Sequence, residues 1–339
     1  MIKRIVRQAL PIGLAIGLLW YVLKDVPLTE LTNQFRRADY RWLALTGLLV
    51  GLYHLTRAAR WQLTLQALGY RPSLFRTTVA LLAGTLASLV IPGAGELTRC
   101  GTLQRTDGVP LAQGIGSVVA ERVIDVLTLV GLIGLTLLLE FDRVGPYIVN
   151  LLAPLGERFT TVGQAETFGI LVLGAGVAGA LLYWLNQKQA IRQHPLTIRL
   201  LGIGRGVGKG FMGIRQLRQP SLFVALTLLT EVVLFLITYV LFFASSQTST
   251  LPPVAALTIL TVSSVGGLAV PTQGGLGTYH FLVSRVLILY GMNETDGVVV
   301  ATFLHAVQVG FSLLFSSLSF LIVPVLIRQR SRRTESVLD

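Results

Sequence analysis

Ile91-Pro92-Gly93-Ala94-Gly95-Glu96 closes an apolar stretch at 74–91, and Val270-Pro271-Thr272-Gln273-Gly274-Gly275-Leu276-Gly277 closes another at 254–270. Proline lacks the amide that the helix ladder needs, and clustered glycine lets the chain turn sharply. Backbone groups freed in this way find no water in hydrocarbon. Such breaks therefore survive at membrane depth only where protein or a wet cavity surrounds them. Both segments are expected to be re-entrant hairpins, the first turning at Pro92 and Gly95, the second at Pro271, Gly274, Gly275 and Gly277.

The rest of the chain supports a membrane setting. Of 339 residues, 53% are hydrophobic and 13% charged, against about 25% charged in an ordinary soluble domain. So few charges cannot clothe a water-facing surface of this size, which excludes a typical soluble enzyme. A bilayer-crossing helix needs roughly 20 mostly apolar residues, and 5–23, 42–59, 112–139, 167–185, 221–245 and 298–327 qualify. The first follows Lys3, Arg4 and Arg7 but is too long for a signal peptide and has no small-residue cleavage site, so it reads as an uncleaved span. The expected fold is all-α: a polytopic membrane helical bundle of six full spans plus two re-entrant hairpins, or eight spans if the hairpins cross.

Charge sets the orientation. The formal net charge is +12, and with the N-terminus inside, 20 of the 28 Lys and Arg fall on the inner side and 6 outside. That bias places both termini in the cytoplasm. The excess basic charge fits loops facing anionic lipid, and no nucleic acid partner is expected. Each half would hold two spans, a broken hairpin and a further span, entered from opposite sides, which is an inverted repeat. Residues 1–330 are expected to be a single transmembrane domain and 331–339 a basic, disordered tail. Residues 140–166 read as an outer loop, and 198–217 within the basic inner loop as an interfacial helix. Gly202–Gly210 superficially resembles a phosphate-binding loop, but the spacing fails, since Gly210 replaces the Ser or Thr after Lys209. The single Cys100 forms no internal disulfide, no metal-ligating Cys/His spacing exists, and no cofactor is expected.

Ionisable residues inside spans are costly and each is a candidate for function. Glu121, Arg122 and Asp125 cluster on one span, with Arg122 within i+3 reach of Asp125. A self-neutralised structural cluster and direct substrate contact both fit. Arg57, Arg60 and Trp61 close the second span; arginine pairs bidentately with phosphate and tryptophan favours headgroup depth, while plain snorkelling is the alternative. Glu96 and Arg99 follow in the first hairpin, so these residues together suggest a basic pocket for a lipid phosphate. His280 follows the second turn and is placed with the substrate-binding set. His54 and His305 read as histidines bonded to a neighbouring helix. Glu231, near the middle of the fifth span, is either a carboxyl bonded across helices or a proton-coupling site.

Arg57-x-x-Arg60-Trp61, Pro92-x-x-Gly95-Glu96-x-x-Arg99, Glu121-Arg122-x-x-Asp125 and Pro271-x-x-Gly274-Gly275-Leu276-Gly277, in that order, resemble the lysylphosphatidylglycerol synthase transmembrane, flippase-like family. This region is also the membrane half of the bacterial multiple peptide resistance factor. The resemblance covers about residues 5–327 and implies movement of a lipid between leaflets, with a membrane lipid as substrate and a separate lipid-modifying enzyme as a candidate partner. The soluble synthase domain of the two-part relatives is not expected here. The sequence departs from the family pattern at His280, where the family usually has Glu, and at Gln273, often Pro. The leading expectation is therefore a lipid translocase without catalytic residues. The alternatives are a membrane-embedded transferase acting on lipid-linked substrates, a proton-coupled small-ion transporter, and a non-transporting scaffold.

Overall fold

A computed structural model of the chain describes residues 28–161 and 216–338, apart from Pro92 and Pro271. The spans expected at 5–23 and 167–185, the glycine-rich loop at 202–210 and all but the end of the interfacial helix at 198–217 lie outside these residues. So do the two turn prolines themselves. The described residues are helical, with no strand among them. In chain order the helices are α1 (Leu28–Arg37), α2 (Tyr40–Ala67), α3 (Leu74–Val90), α4 (Ala94–Asp107), α5 (Leu111–Thr161), α6 (Pro220–Phe242), α7 (Pro253–Ala269), α8 (Thr278–Leu289) and α9 (Glu294–Leu338). Three contain segments long and apolar enough to cross a membrane: Leu111–Phe141, Pro220–Phe242 and Glu294–Arg330.

Local chemistry explains most of the boundaries. Asp39 caps α2, its carboxylate accepting from the Arg41 amide at 2.9 Å, and Ser73 caps α3 by accepting from the Arg76 amide at 3.3 Å. The helix α3 stops at Ile91, which is extended (φ −132°, ψ 115°), the conformation a following proline imposes. Val270 ends α7 before Pro271 in the same way (φ −129°, ψ 92°). Between α7 and α8, Gly274, Gly275 and Gly277 have φ of 58°, 80° and 81°, a left-handed run that only glycine enters without strain.

Both breaks give antiparallel helix pairs. In the first, Arg76 on α3 pairs with Asp107 at the far end of α4 (3.2 Å), while near the tip the Gly84 and Gly95 backbones nearly touch. A Cβ on Gly84 would stand 2.6 Å from the Gly95 carbonyl oxygen. In the second, Thr258 of α7 bonds the Tyr290 hydroxyl just past α8 (3.3 Å), and Leu282 occupies the space beside Gly266. The hairpin tips also meet: the Leu89 Cδ2 methyl lies 2.8 Å from the position a Cβ on Gly274 would take.

The order long helix, hairpin, long helix occurs twice, as α2 to α5 and as α6 to α9. The leading helices of the two passes run antiparallel. Trp42 lies against Phe243 with rings 5.0 Å apart, Val50 packs with Val233 and Ile237, and the Thr230 hydroxyl donates to that of Thr56 at 3.1 Å. This is the geometry of an inverted repeat. The helix α9 lies beside α2 so closely that a Cβ on Gly47 would meet the Phe311 ring at 2.6 Å.

The chain divides into two compact units, Gly134–Gly206 and the remainder. The described part of the smaller unit is helical to Thr161, so the outer loop expected over 140–166 is largely helix. Its turn residues do not prevent helix: the backbone leaves helical geometry at Glu140 (φ −126°, ψ 26°) and then resumes it. Between the first two expected spans lies α1, where Phe35 meets Phe303 edge-on at 5.0 Å. The basic segment after 330, expected to be disordered, continues α9 as far as Leu338. A helix already nucleated adds residues at little cost where no breaker intervenes.

Candidate functional site

The site grows from one face of α2. Tyr53, Arg57, Arg60, Trp61 and Thr64 recur at helical spacing, and the Trp61 indole is fully buried. The indole N–H donates to the Ser117 hydroxyl on α5 at 3.0 Å, and the Arg99 guanidinium of α4 lies over the ring, 4.7 Å from its centre. Trp61 thus joins three helices beneath the site. Its polar edge has a partner inside the protein, as a buried indole requires.

Around this anchor, six side chains from three helices form a continuous ion-pair network. Arg60 reaches Asp125 at 2.6 Å and Glu121 at 3.7 Å. Glu121 also takes Arg99 at 3.1 Å. Arg122 reaches Asp125 at 3.6 Å and Glu96 at 2.8 Å. The deep end, Arg60, Arg99 and Glu121, is buried, while Arg122 and Glu96 are open. Three guanidiniums balance three carboxylates, so the network is neutral as a whole. The first hairpin makes it possible, since only its turn returns Glu96 and Arg99 toward α5.

Arg57 stands apart. Among the described residues it makes no ion pair within 4.0 Å, and its one close neighbour of note is the Tyr53 ring, 5.3 Å away. Arg57 lines a cavity of about 300 Å³ together with Arg60, Arg122, Asp125 and Glu231. Walls of α2, α5, α6 and α7 enclose it, with Ser264 and Gly267 contributed by the second hairpin. A second cavity of about 150 Å³ lies against the first hairpin, between α3 and α4. Arg57 and Arg122 border both spaces. The carboxylates of Asp125, Glu121 and Glu96 act on Arg57 from beyond 4.0 Å, so its guanidinium keeps charge-assisted donors for an anion entering beside it.

The structure brings Arg57, Arg60, Glu96, Arg99, Glu121, Arg122, Asp125 and Glu231 into one region. It does not bring His280 there. The His280 Nδ1 accepts from the Gly277 amide at 3.2 Å, capping α8 at the second turn. Its ring meets His305 edge-on at 4.8 Å, and His305 stacks on Tyr279 at 4.5 Å. Along the chain, the position after a glycine turn looked like a binding position, but the ring is occupied in holding that turn. His305 fulfils its expected role, bonding through Nε2 to the Gly274 carbonyl oxygen at 2.8 Å. Among the described residues, neither ring nitrogen of the buried His54 has a hydrogen-bond partner. Sequence reasoning missed Tyr53 and Thr230 as cavity walls. Tyr53 lies one turn before Arg57, a spacing that marked its face; Thr230 adjoins Glu231 and carried no separate signal.

The profile of the lysylphosphatidylglycerol synthase TM region matches residues 8–316. Among curated proteins the chain is similar to the glycosyltransferase AglD of Haloferax volcanii, at 29% identity over 110 residues. That stretch covers 32% of this chain but only 18% of the relative's length. No solved structure matches the chain.

Proposed function

This chain belongs to the lysylphosphatidylglycerol synthase transmembrane family, and on that premise we propose that it moves the polar head of a membrane phospholipid between leaflets. It is an integral membrane protein with a charged interior. The observation that carries the proposal is the cavity beside Arg57, where a guanidinium with no ion pair within 4.0 Å among the described residues borders a space of about 300 Å³ lined by charged and apolar side chains. A headgroup phosphate meets a barrier of several kcal/mol or more in hydrocarbon. Arginine offers planar, charge-assisted donors that replace its water. Acyl tails remain in lipid while the head passes the guanidiniums of Arg57 and Arg122, which border both cavities. The touching hairpin tips at Leu89 and Gly274 are the natural place for access to alternate. In this reading the membrane is the bacterial-type inner membrane and both termini face the cytoplasm.

Reconstitution into liposomes containing acyl-labelled phospholipid tests the proposal. If the protein moves lipid, an impermeant quencher bleaches well beyond the outer-leaflet half of the label, and Arg57→Ala loses that excess while remaining folded. Bleaching that stops at one half with folded wild-type protein would refute it.

The similarity to a protein named as a glycosyltransferase supports a second reading, a membrane-embedded transferase on lipid-linked substrates. Turnover of a lipid-linked sugar donor without any bleaching beyond one half would favour that reading. Within the site, Glu121 and Asp125 are each held by arginines, which leaves Glu231 as the cavity carboxylate available for proton transfer.

A further inference from the structure

The charges lining the larger cavity are not all alike. Arg60, Arg122 and Asp125 belong to the ion-pair network, so their charges are already answered by protein. Two groups remain. Among the described residues, neither Arg57 nor Glu231 makes an ion pair within 4.0 Å. Arg57 projects from α2 and Glu231 from α6, one residue beyond the Thr230 that bonds across to Thr56. The antiparallel pairing of these helices therefore sets one basic and one acidic group, neither held in a close ion pair, along the same cavity.

A ligand carrying a single anion would satisfy Arg57 and leave the carboxyl of Glu231 facing it. A ligand with two ammonium groups would leave one of them uncompensated. We infer that the cavity is built for a zwitterionic head, one phosphodiester joined by a short linker to one ammonium group, with Arg57 taking the phosphate and Glu231 the amine. This rests on the translocation reading for its biological sense but not for its test, because binding can be measured without transport.

The experiment uses the full chain in detergent micelles and two acyl-fluorescent probes, phosphatidylethanolamine and phosphatidylglycerol, with binding read by fluorescence polarisation. The wild type is expected to bind the aminoethyl lipid about tenfold more tightly, the equivalent of one modest ion pair. Glu231→Gln brings that ratio to about one, Glu231→Asp retains part of it, and Arg57→Gln weakens binding of both lipids. Glycerophosphoethanolamine, the same head without tails, distinguishes a lipid site from a site for the free phosphodiester by whether it displaces the probe as well as the intact lipid does. Equal affinity for the two lipids, or a preference that survives Glu231→Gln in a protein with unaltered thermal unfolding, would overturn the inference. If the aminoethyl preference is found but no lipid crosses the liposome bilayer, the translocation reading fails and this one stands.

Discussion

Replacing Glu121 by alanine tests whether the ion network has a structural end and a working end. Its carboxylate is 3% exposed and lies 3.1 Å from Arg99 and 3.7 Å from Arg60, both also buried. Removing it leaves Arg99 without an acidic partner and Arg60 with Asp125 alone. Removing one partner of a buried pair costs about 3–5 kcal/mol, because the remaining charge stays desolvated. Glu96 provides the internal comparison. Its pair with Arg122 is the most open in the network, with side chains 36% and 51% exposed, and such pairs contribute about 0–1 kcal/mol. Equilibrium unfolding in mixed micelles should therefore separate Glu121→Ala from Glu96→Ala by about 2–5 kcal/mol. Adding Arg99→Met to Glu121→Ala should recover part of the loss, since the stranded guanidinium is then gone. If Glu121→Ala and Glu96→Ala destabilise equally, or if Arg99→Met worsens the deficit, the network is uniformly solvated and its division into two ends is wrong.

Further substitutions test the frame around the site. Gly84→Val places side-chain atoms against the Gly95 carbonyl and should cost about 1–3 kcal/mol of stability through overpacking, measured by the same unfolding. Gly277→Ala, at φ 81°, should lose about 1–2 kcal/mol and speed amide exchange in the first turn of α8, where the His280 cap depends on the glycine geometry. Trp61→Phe removes the Ser117 bond and weakens the contact with Arg99; it should cost about 1–2 kcal/mol and lower transport less than Arg57→Ala does, read by unfolding and by the bleaching assay together.

Much of the architecture was legible because it is local. Proline and glycine act on the few bonds beside them, so Ile91-Pro92-Gly93 and the Gly274 to Gly277 run announced their turns without knowledge of the fold. The Arg122 to Asp125 pair was legible for the same reason, being set by i,i+3 spacing on one helix. The pairs that organise the site were not. Arg60 to Asp125, Arg99 to Glu121 and Arg122 to Glu96 each join different helices, and nothing in sequence spacing says which carboxylate an arginine will meet across a hairpin. Trp61 shows the same limit from the other side: its amphipathic ring carries no sign of which partner its N–H will meet, and that partner, Ser117, lies 56 residues away. His280 stands apart from the charged cluster, and its ring accepts from a neighbouring amide that no spacing rule singles out. The helix through Thr161 was missed because Pro and Gly clusters mark a break without saying whether helix resumes after it.

The contact between Leu89 and Gly274 couples the two passes of the repeat mechanically. One leucyl methyl rests where the opposing strand of backbone carries only hydrogen, so neither loop can tilt toward its neighbour without pushing it. Displacement of one hairpin tip is thereby passed to the other, much as a pawl constrains a wheel. Lengthening or shortening that one aliphatic side chain adjusts the backlash of the whole assembly while leaving every charged group where it stands.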